Sequence, residues 1–244
     1  MKLINNDCMN VFNELSDNSV DLIYTDPPYE MSELVLDTTG TANSIMKLSE
    51  TLLPLNKVIQ HEFNLEKFCS ECVRVLKDIN IYIWCNKKQV YKYLEFFVGR
   101  YSCKFDILTW YKTNAMPTYY NKYLDDCEYC LYFHNGNAFV KPSCYENAKK
   151  LYISPINREN KKYGHPTIKP LPFVTRMIDN STKEGDIVFD PYMGSGTTGV
   201  AVRNLDRKLQ FIGVEIDKGF FEVAKNRIEN NVEPSGENIR KELF

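Results

Sequence analysis

The strongest constraint on the fold is a short apolar run that ends abruptly in Asp-Pro-Pro-Tyr. Within residues 20–25 (VDLIYT), Val20, Leu22, Ile23 and Tyr24 form a short apolar run rich in β-formers, as in a parallel strand that is covered on both faces. Neither Pro27 nor Pro28 has an N–H for the sheet, and each fixes its own φ, so the strand has to stop at Asp26. An Asp-Pro turn alone explains neither the second proline nor Tyr29. The sequence therefore predicts a carboxylate at a rigid strand end.

A second strand ends at an aspartate in VFDPYMGSGTTGVA. After Asp190, Gly194 and Gly196 allow close approach of another backbone or a ligand, and Thr197 or Thr198 is predicted to cap the next helix. Such a turn presents free N–H groups and the positive end of a helix, which suit a carboxylate or a phosphate.

The spacing of this turn fits neither standard phosphate-binding loop. No lysine follows Gly196, and the glycines do not form G-x-G-x-x-G, which disfavours nucleoside triphosphates and dinucleotides. Glu215 ends the run QFIGVE, 19 residues after Gly196, where an acidic residue commonly binds ribose hydroxyls. The pattern favours a nucleoside with a small charged tail.

Strand-like and helix-like runs alternate along the 244 residues. This alternation predicts an α/β, doubly wound, mostly parallel sheet. Strands are predicted at 20–25, 79–85, 104–111, 128–133, 186–190 and 210–215. Helices are predicted after Asp7, at 65–77 and 88–98, from Pro170, after the glycine-rich turn and at 219–230. Residues 30–62, 112–128 and 134–166 are predicted to be irregular.

The composition is that of an ordinary globular protein, with 43% hydrophobic and 25% charged residues. No window of about 18 apolar residues occurs, and the first ten residues lack the apolar core of a signal peptide. We expect a soluble, cytoplasmic protein that has no membrane partner.

Two of the cysteine pairs, Cys69-x-x-Cys72 and Cys127-x-x-Cys130, have the internal spacing of zinc ligands but lie far apart in the chain. The first pair falls on the apolar stripe of a predicted helix, and the second leads into a predicted strand. We interpret them as packing residues and predict no metal site.

Charge is distributed unevenly along the chain. Residues 86–183 contain 16 Lys and Arg against 8 Asp and Glu, a net charge of +8, whereas the whole chain has a net charge of −2. Tyrosines are interleaved with these basic residues. A solvated charged face would give the same charge pattern, but the combination also suits a nucleic acid.

Three motifs, TDPPY, HPTIKP and FDPYMGSGTTG in that order, resemble the β group of S-adenosylmethionine-dependent DNA amino-methyltransferases. VDLIYTDPPY, ECVRVLK, IYIWCN, LTWYKTNAMP and GVEID also have counterparts there, so the resemblance covers nearly the whole chain. It implies a Rossmann-like fold with a seven-stranded sheet and transfer of a methyl group to an exocyclic nitrogen of adenine or cytosine.

The resemblance also implies roles for individual residues. Asp26 and the carbonyl of Pro27 would accept hydrogen bonds from the target amino group, Pro28 would stiffen the turn, and Tyr29 would stack on the flipped base. The residues expected at the cofactor S-adenosylmethionine are Asp7, Cys8, Asp26, Thr167, Lys169, Asp190, Tyr192, Gly194, Ser195, Gly196, Thr197 and Glu215.

The expected partner is double-stranded DNA, read by an insertion at about 112–164, and residues 30–62 are expected to form a mobile loop. A homodimer and a separate restriction endonuclease are further expectations that come from the resemblance. The candidate phosphate contacts are Lys141, Lys149, Lys150, Arg158, Lys161 and Lys162.

Adenine N6 is the favoured target because many cytosine N4 enzymes of this kind carry serine in place of Asp26. Cytosine N4-methylation stays open as the alternative within the fold. A catalytically silent DNA-binding module is the alternative from another class, although such a module would not need an intact DPPY element.

Overall fold

The structure is a computed structural model that describes residues 1–28, 63–117, 121–156, 168–205 and 207–230. Eight strands form one sheet. They are β1 (Lys2–Asn5), β2 (Leu22–Thr25), β3 (Asn80–Cys85), β4 (Lys104–Lys112), β5 (Cys127–His134), β6 (Leu151–Ser154), β7 (Ile187–Asp190) and β8 (Gln210–Glu215).

Six α-helices flank this sheet in the described ranges. They are α1 (Cys8–Glu14), α2 (Leu65–Val75), α3 (Val90–Leu94), α4 (Leu171–Asn180), α5 (Thr197–Asn204) and α6 (Lys218–Asn230). A π-helical segment, Glu95–Arg100, continues α3, and a short 3₁₀ turn covers Glu146–Ala148.

The strand order is β1-β8-β7-β2-β3-β5-β4-β6. All neighbouring strands are parallel except the two pairs that β5 forms with β3 and β4. Helices α1, α2 and α3 pack on one face of the sheet around Phe12 and Phe68. Helices α4, α5 and α6 pack on the other face around Phe173 and Ile228. The predicted doubly wound, mostly parallel architecture is confirmed.

The strand count of seven is wrong for this chain. The two strands missed by the sequence prediction, β1 and β6, are only four residues long, and both have exposed positions. Lys2–Asn5 pairs with β8, and Leu151–Ser154 pairs with β4 as an edge strand inside the stretch 134–166 that was predicted to be irregular. Short, partly exposed strands depend on their pairing partner and carry little hydrophobic pattern of their own.

Two helix boundaries also differ from the prediction. Helix α2 stops at Val75 because Leu76 is extended (φ −75°, ψ 136°) and forms a bridge with Val20. The helix predicted at 88–98 begins at Val90 and reaches Arg100 through its π-helical segment.

Cys69 and Cys72 are fully buried on the inner face of α2, as the apolar stripe predicted. Within the described ranges, no group of three His, Cys, Asp or Glu side chains is arranged to hold a metal ion. No helix in those ranges is long and apolar enough to span a membrane.

Candidate active site at the carboxyl edge of the sheet

Four acidic side chains meet at one edge of the sheet. Strands β1, β8, β7 and β2 are parallel neighbours, so their carboxyl ends lie side by side. Asp190 and Glu215 are the last residues of β7 and β8, Asp26 directly follows β2, and Asp7 follows β1. In open α/β sheets, ligands bind in the crevice at this edge, so the motifs predicted from sequence converge on one site.

The glycine-rich turn is built around the Asp190 carboxylate. Its Oδ1 accepts the Tyr192 N–H at 3.1 Å, and its Oδ2 accepts the Thr198 hydroxyl at 2.5 Å. Gly196, with φ of 81°, is the N-cap of α5, and no side chain caps this helix. The prediction that Thr197 or Thr198 caps α5 is therefore wrong, because the Thr198 hydroxyl is held by Asp190 instead.

Gly196 leaves no room for a side chain. A Cβ added there would lie 3.0 Å from the Ala224 Cβ and 3.1 Å from the Ala224 Cα, on helix α6. Its positive φ would also strain an L-residue. The turn is therefore packed closely against α6 at Gly196.

Replacing Gly196 by alanine is expected to lower the free energy of unfolding by about 1–3 kcal/mol through strain and overpacking. The affinity for a ligand in the crevice should fall as well, because the turn must move away from α6. Urea denaturation, and calorimetric titration with S-adenosylmethionine as the cofactor that the resemblance implies, measure the two effects. Gly99→Ala is the matched control, since no atom lies within 4 Å of a Cβ added there. Equal stability of the two variants would contradict this account.

Arg227 supports the turn from below and was missed by the sequence prediction. It is 4% exposed and donates to the Ser195 carbonyl at 3.3 Å and to the Thr197 hydroxyl at 2.9 Å. In the sequence it resembles any charged residue on an amphipathic helix. Its contact with the turn follows only from the packing of α6 against residues 195–197.

Burial raises the pKa of Asp190 to about 7, although its hydrogen bonds from Thr198 and Tyr192 oppose the shift. In the unfolded chain an aspartate titrates near 3.8. Between these values the folded protein binds more protons than the unfolded chain, so the stability contributed by this group falls as pH rises towards about 7 and is constant above it.

The Asp190→Asn variant should lack this pH dependence. The stability of the wild type relative to the variant is therefore expected to decrease between about pH 5 and pH 7 and to level off above that range. Urea denaturation of both proteins across this range provides the measurement. Two stability curves that run parallel through the whole range would show that Asp190 is not the titrating group.

Glu215 closes the other side of the turn. Its Oε2 accepts the Gly194 N–H at 3.0 Å, and its Oε1 accepts the Asp217 N–H at 2.9 Å. Burial raises its pKa above the ordinary value, and the backbone donors oppose that shift. A carboxylate has about four lone-pair sites, so Glu215 can still accept a hydrogen bond from a hydroxyl group.

Asp7 and Cys8 begin helix α1 beside this turn. The Asp7 side chain caps α1 by accepting the Met9 N–H at 2.7 Å, as predicted. Cys8 is buried, which raises its pKa to about 11, and its thiol forms a hydrogen bond with Tyr192. Tyr192 also packs against Phe68, so it joins the turn to the core.

Asp26 is bound on one oxygen only. Its Oδ2 lies 2.6 Å from the Lys169 Nζ, whereas its Oδ1 is buried and accepts no hydrogen bond from any described residue. Pro27 is buried, and the Pro28 carbonyl accepts the Gln89 side-chain amide at 3.3 Å. Contacts from Lys169 and Gln89 therefore hold residues 26–28, with one unsatisfied carboxylate oxygen on Asp26.

Lys169 links Asp26 to a second carboxylate that the sequence prediction missed. Its Nζ lies 3.1 Å from Glu128 on β5, and Glu128 in turn pairs with Lys112 at 2.5 Å. Burial opposes ionisation of Glu128, but the two lysines outweigh it and hold its pKa below the ordinary value. The Lys169 Nζ also lies 4.9 Å from the centre of the Trp84 ring.

Several predicted site residues lie outside the described ranges: Tyr29, Thr167, Arg158, Lys161 and Lys162, together with the loop 30–62. Three of the predicted phosphate contacts are described and exposed. Lys149 pairs with Glu146 at 2.7 Å, and Lys150 pairs with Asp106. Lys141 lies a few residues earlier in the chain. Its backbone N–H donates to the carbonyl of Asn180, at the end of α4, at 2.7 Å.

An acidic strand-end site beside a glycine-rich turn, in a sheet of this order, defines a Rossmann-like methyltransferase. The DNA methylase family of N6 and N4 amino-methyltransferases matches residues 20–226. The chain belongs to this family, and it is an S-adenosylmethionine-dependent, site-specific DNA methyltransferase.

Three comparisons illustrate the relationship. The Type II methyltransferase M2.MboI of Moraxella bovis is 30% identical over 240 residues, which cover 90% of this chain and 84% of that protein. M.HpaI of Haemophilus parainfluenzae is 31% identical over 252 residues, covering 94% and 74%. The crystal structure of the M1.HpyAVI–SAM complex superposes with a TM-score of 0.65 at 27% identity, covering 93% of this chain and 98% of that one.

The residues at the crevice fit S-adenosylmethionine. Glu215 can accept a further hydrogen bond, as a ribose hydroxyl would donate, and the positive end of α5 suits a carboxylate such as that of methionine. Gly194 and Gly196, with φ of 50° and 81°, give the turn a left-handed backbone that glycine adopts without strain.

Proposed function

We propose that this enzyme methylates the N6 amino group of adenine in DNA, after the base has been flipped out of the duplex. Asp26 and the Pro27 carbonyl accept the two amino hydrogens, and Tyr29 stacks on the base. Asp7, Cys8, Thr167, Lys169, Glu215 and the turn from Asp190 to Thr197 hold the cofactor.

The main support for the proposal is the hydrogen bonding of the Asp26 carboxylate, which is satisfied on one oxygen and unsatisfied on the other. Lys169 fixes its Oδ2, whereas its Oδ1 is buried without a hydrogen bond from the described residues. A buried, unsatisfied carboxylate oxygen is costly, and a ligand that donates a hydrogen bond relieves that cost. An exocyclic amino group supplies such a donor.

The same arrangement suits the chemistry of an amino group. The amino lone pair is delocalised into the ring, so the nitrogen is a poor nucleophile. Acceptors aimed at both hydrogens favour a more tetrahedral nitrogen, and the two prolines hold one of these acceptors, a main-chain oxygen, at a fixed angle. Bound S-adenosylmethionine would supply the methyl group to this nitrogen and leave as the neutral thioether, while Asp26 and the Pro27 carbonyl would hold the amino hydrogens and the surplus proton would pass to solvent.

Adenine is favoured over cytosine by the aspartate at position 26, because many cytosine N4 enzymes of this kind carry serine there. The positive net charge of residues 86–183 and the exposed Lys141, Lys149 and Lys150 support a DNA contact on the segment predicted to read the target. We further propose a homodimer, as the resemblance to the β group implies, and a separate endonuclease partner, as the relatives' Type II designation suggests.

Expression in a host without adenine or cytosine amino-methylation tests the target base. We expect mass spectrometry of the host's digested DNA to detect N6-methyladenine, and sequencing that detects modified bases to place it in one short motif. N4-methylcytosine would overturn the choice of adenine and keep the family assignment. DNA without any new methylated base, from cells that contain folded protein, would favour the silent binding module.

A further inference from the structure

Four charged side chains of alternating sign form a row of ion pairs that ends at Asp26. Lys112 pairs with Glu128 at 2.5 Å, Glu128 with Lys169 at 3.1 Å, and Lys169 with Asp26 at 2.6 Å. They come from the end of β4, from β5, from the residue before Pro170, and from the residue after β2. We call this set the charge chain.

Three of the four side chains are nearly out of solvent. The exposed fractions are 15% for Lys112, 16% for Glu128 and 6% for Lys169, against 26% for Asp26. Screening by water is weak in such a place, so each charge acts strongly on its neighbours. The charge chain is electrically neutral as a whole, and removal of any one member leaves a net charge beside Asp26.

Two tryptophans fix the lysines. The Lys169 Nζ lies over the Trp84 ring at 4.9 Å, and the Lys112 Nζ lies over the Trp110 ring at 5.3 Å. Trp84 itself donates to the Tyr24 hydroxyl at 2.7 Å, and Trp110 donates to the Ser154 hydroxyl at 2.9 Å. These ring contacts favour a cation at both positions and limit how far the ammonium groups can move.

We infer that Glu128 is a positioning residue for methyl transfer, which cancels the charge of Lys169 so that Asp26 remains a strong hydrogen-bond acceptor. This inference rests on the role proposed for Asp26. During transfer, positive charge leaves the sulfur and builds up on the amino nitrogen. A net positive charge beside Asp26 would oppose that build-up, and Glu128 prevents it.

Glu128→Gln tests the inference, since it removes the charge and keeps the shape. We expect kcat for total methyl transfer to DNA to fall by at least about tenfold, with the dissociation constant of S-adenosylmethionine changed less than about twofold. Glu71→Gln is the matched control, because Glu71 pairs with Arg74 on α2, away from the charge chain. A kcat of Glu128→Gln equal to that of the control overturns the inference.

A second variant separates charge from structure. Lys112→Met combined with Glu128→Gln removes one charge of each sign and restores neutrality around Asp26 and Lys169. We expect this double variant to transfer methyl groups faster than Glu128→Gln alone. A purely structural role for Glu128 predicts the reverse, because two partly buried ion-pair partners are lost, so a slower double variant overturns the inference even if Glu128→Gln folds poorly.

Counting methyl groups on total DNA tests the role of Glu128 independently of which base is the target. Methyl groups are counted on total DNA, whichever base carries them, and the variants are compared with the wild type. Label on cytosine in the wild type would reject adenine as the target and leave the comparison of the variants intact.

Discussion

Replacing Asp26 by alanine is expected to abolish methyl transfer, with a loss in kcat of at least about a thousandfold. The variant loses the carboxylate oxygen that is free to accept a hydrogen bond from the target amino group, while the glycine-rich turn and Glu215 are untouched. Binding of S-adenosylmethionine should therefore change little. Transfer of labelled methyl groups to DNA and calorimetric titration with the cofactor measure the two effects.

Asp17→Ala provides the control for this variant, since Asp17 is an exposed residue paired with Arg74 on the far side of α2. Substantial turnover by Asp26→Ala would remove Asp26 from the reacting centre. Loss of cofactor binding together with activity would instead assign Asp26 to the cofactor site alone.

The second large effect is expected for Lys169→Met. Asp26 and Glu128 then face each other without their shared cation, and breaking a buried ion pair in this way costs about 3 kcal/mol of stability. Methyl transfer should be lost, and cofactor binding should weaken if Lys169 also reaches the methionine carboxylate, as the HPTIKP resemblance implies.

Thermal denaturation and cofactor titration of Lys169→Met can be compared with those of Lys77→Met, whose lysine pairs with Asp21 at the half-exposed surface. Equal melting temperatures for the two variants would contradict the claim that Lys169 stabilises the fold by pairing with Asp26 and Glu128. An unchanged dissociation constant for S-adenosylmethionine would remove Lys169 from the cofactor site and leave its role at Asp26.

The parts of the fold that were predicted correctly are those with strong local signals. The buried run before Asp26, the glycine-rich turn and the Asp7 cap each follow from the conformational limits of proline, glycine or a capping aspartate. The short strands β1 and β6 were missed because each exists through pairing with β8 or β4 rather than through its own pattern.

The site residues that were missed share another property. Glu128, Gln89 and Arg227 are polar residues within ordinary strand or helix patterns, and each becomes part of the site only through contacts with residues far away in sequence. Glu128 pairs with a lysine 41 positions later, and Arg227 reaches back by 30 positions to Thr197. A local sequence pattern does not specify contacts between residues so far apart, whereas the three-dimensional structure gives them directly.

The most direct measurement of the central claim is the transfer of a deuterated methyl group from S-adenosylmethionine to mixed-sequence DNA in vitro, read by mass spectrometry of the digested nucleosides. Deuterium distinguishes new methyl groups from any that the DNA already carried. We predict deuterated N6-methyladenine with the wild type and none with Asp26→Ala. Equal incorporation by the two proteins, or none by a wild type that binds the cofactor, would contradict the account.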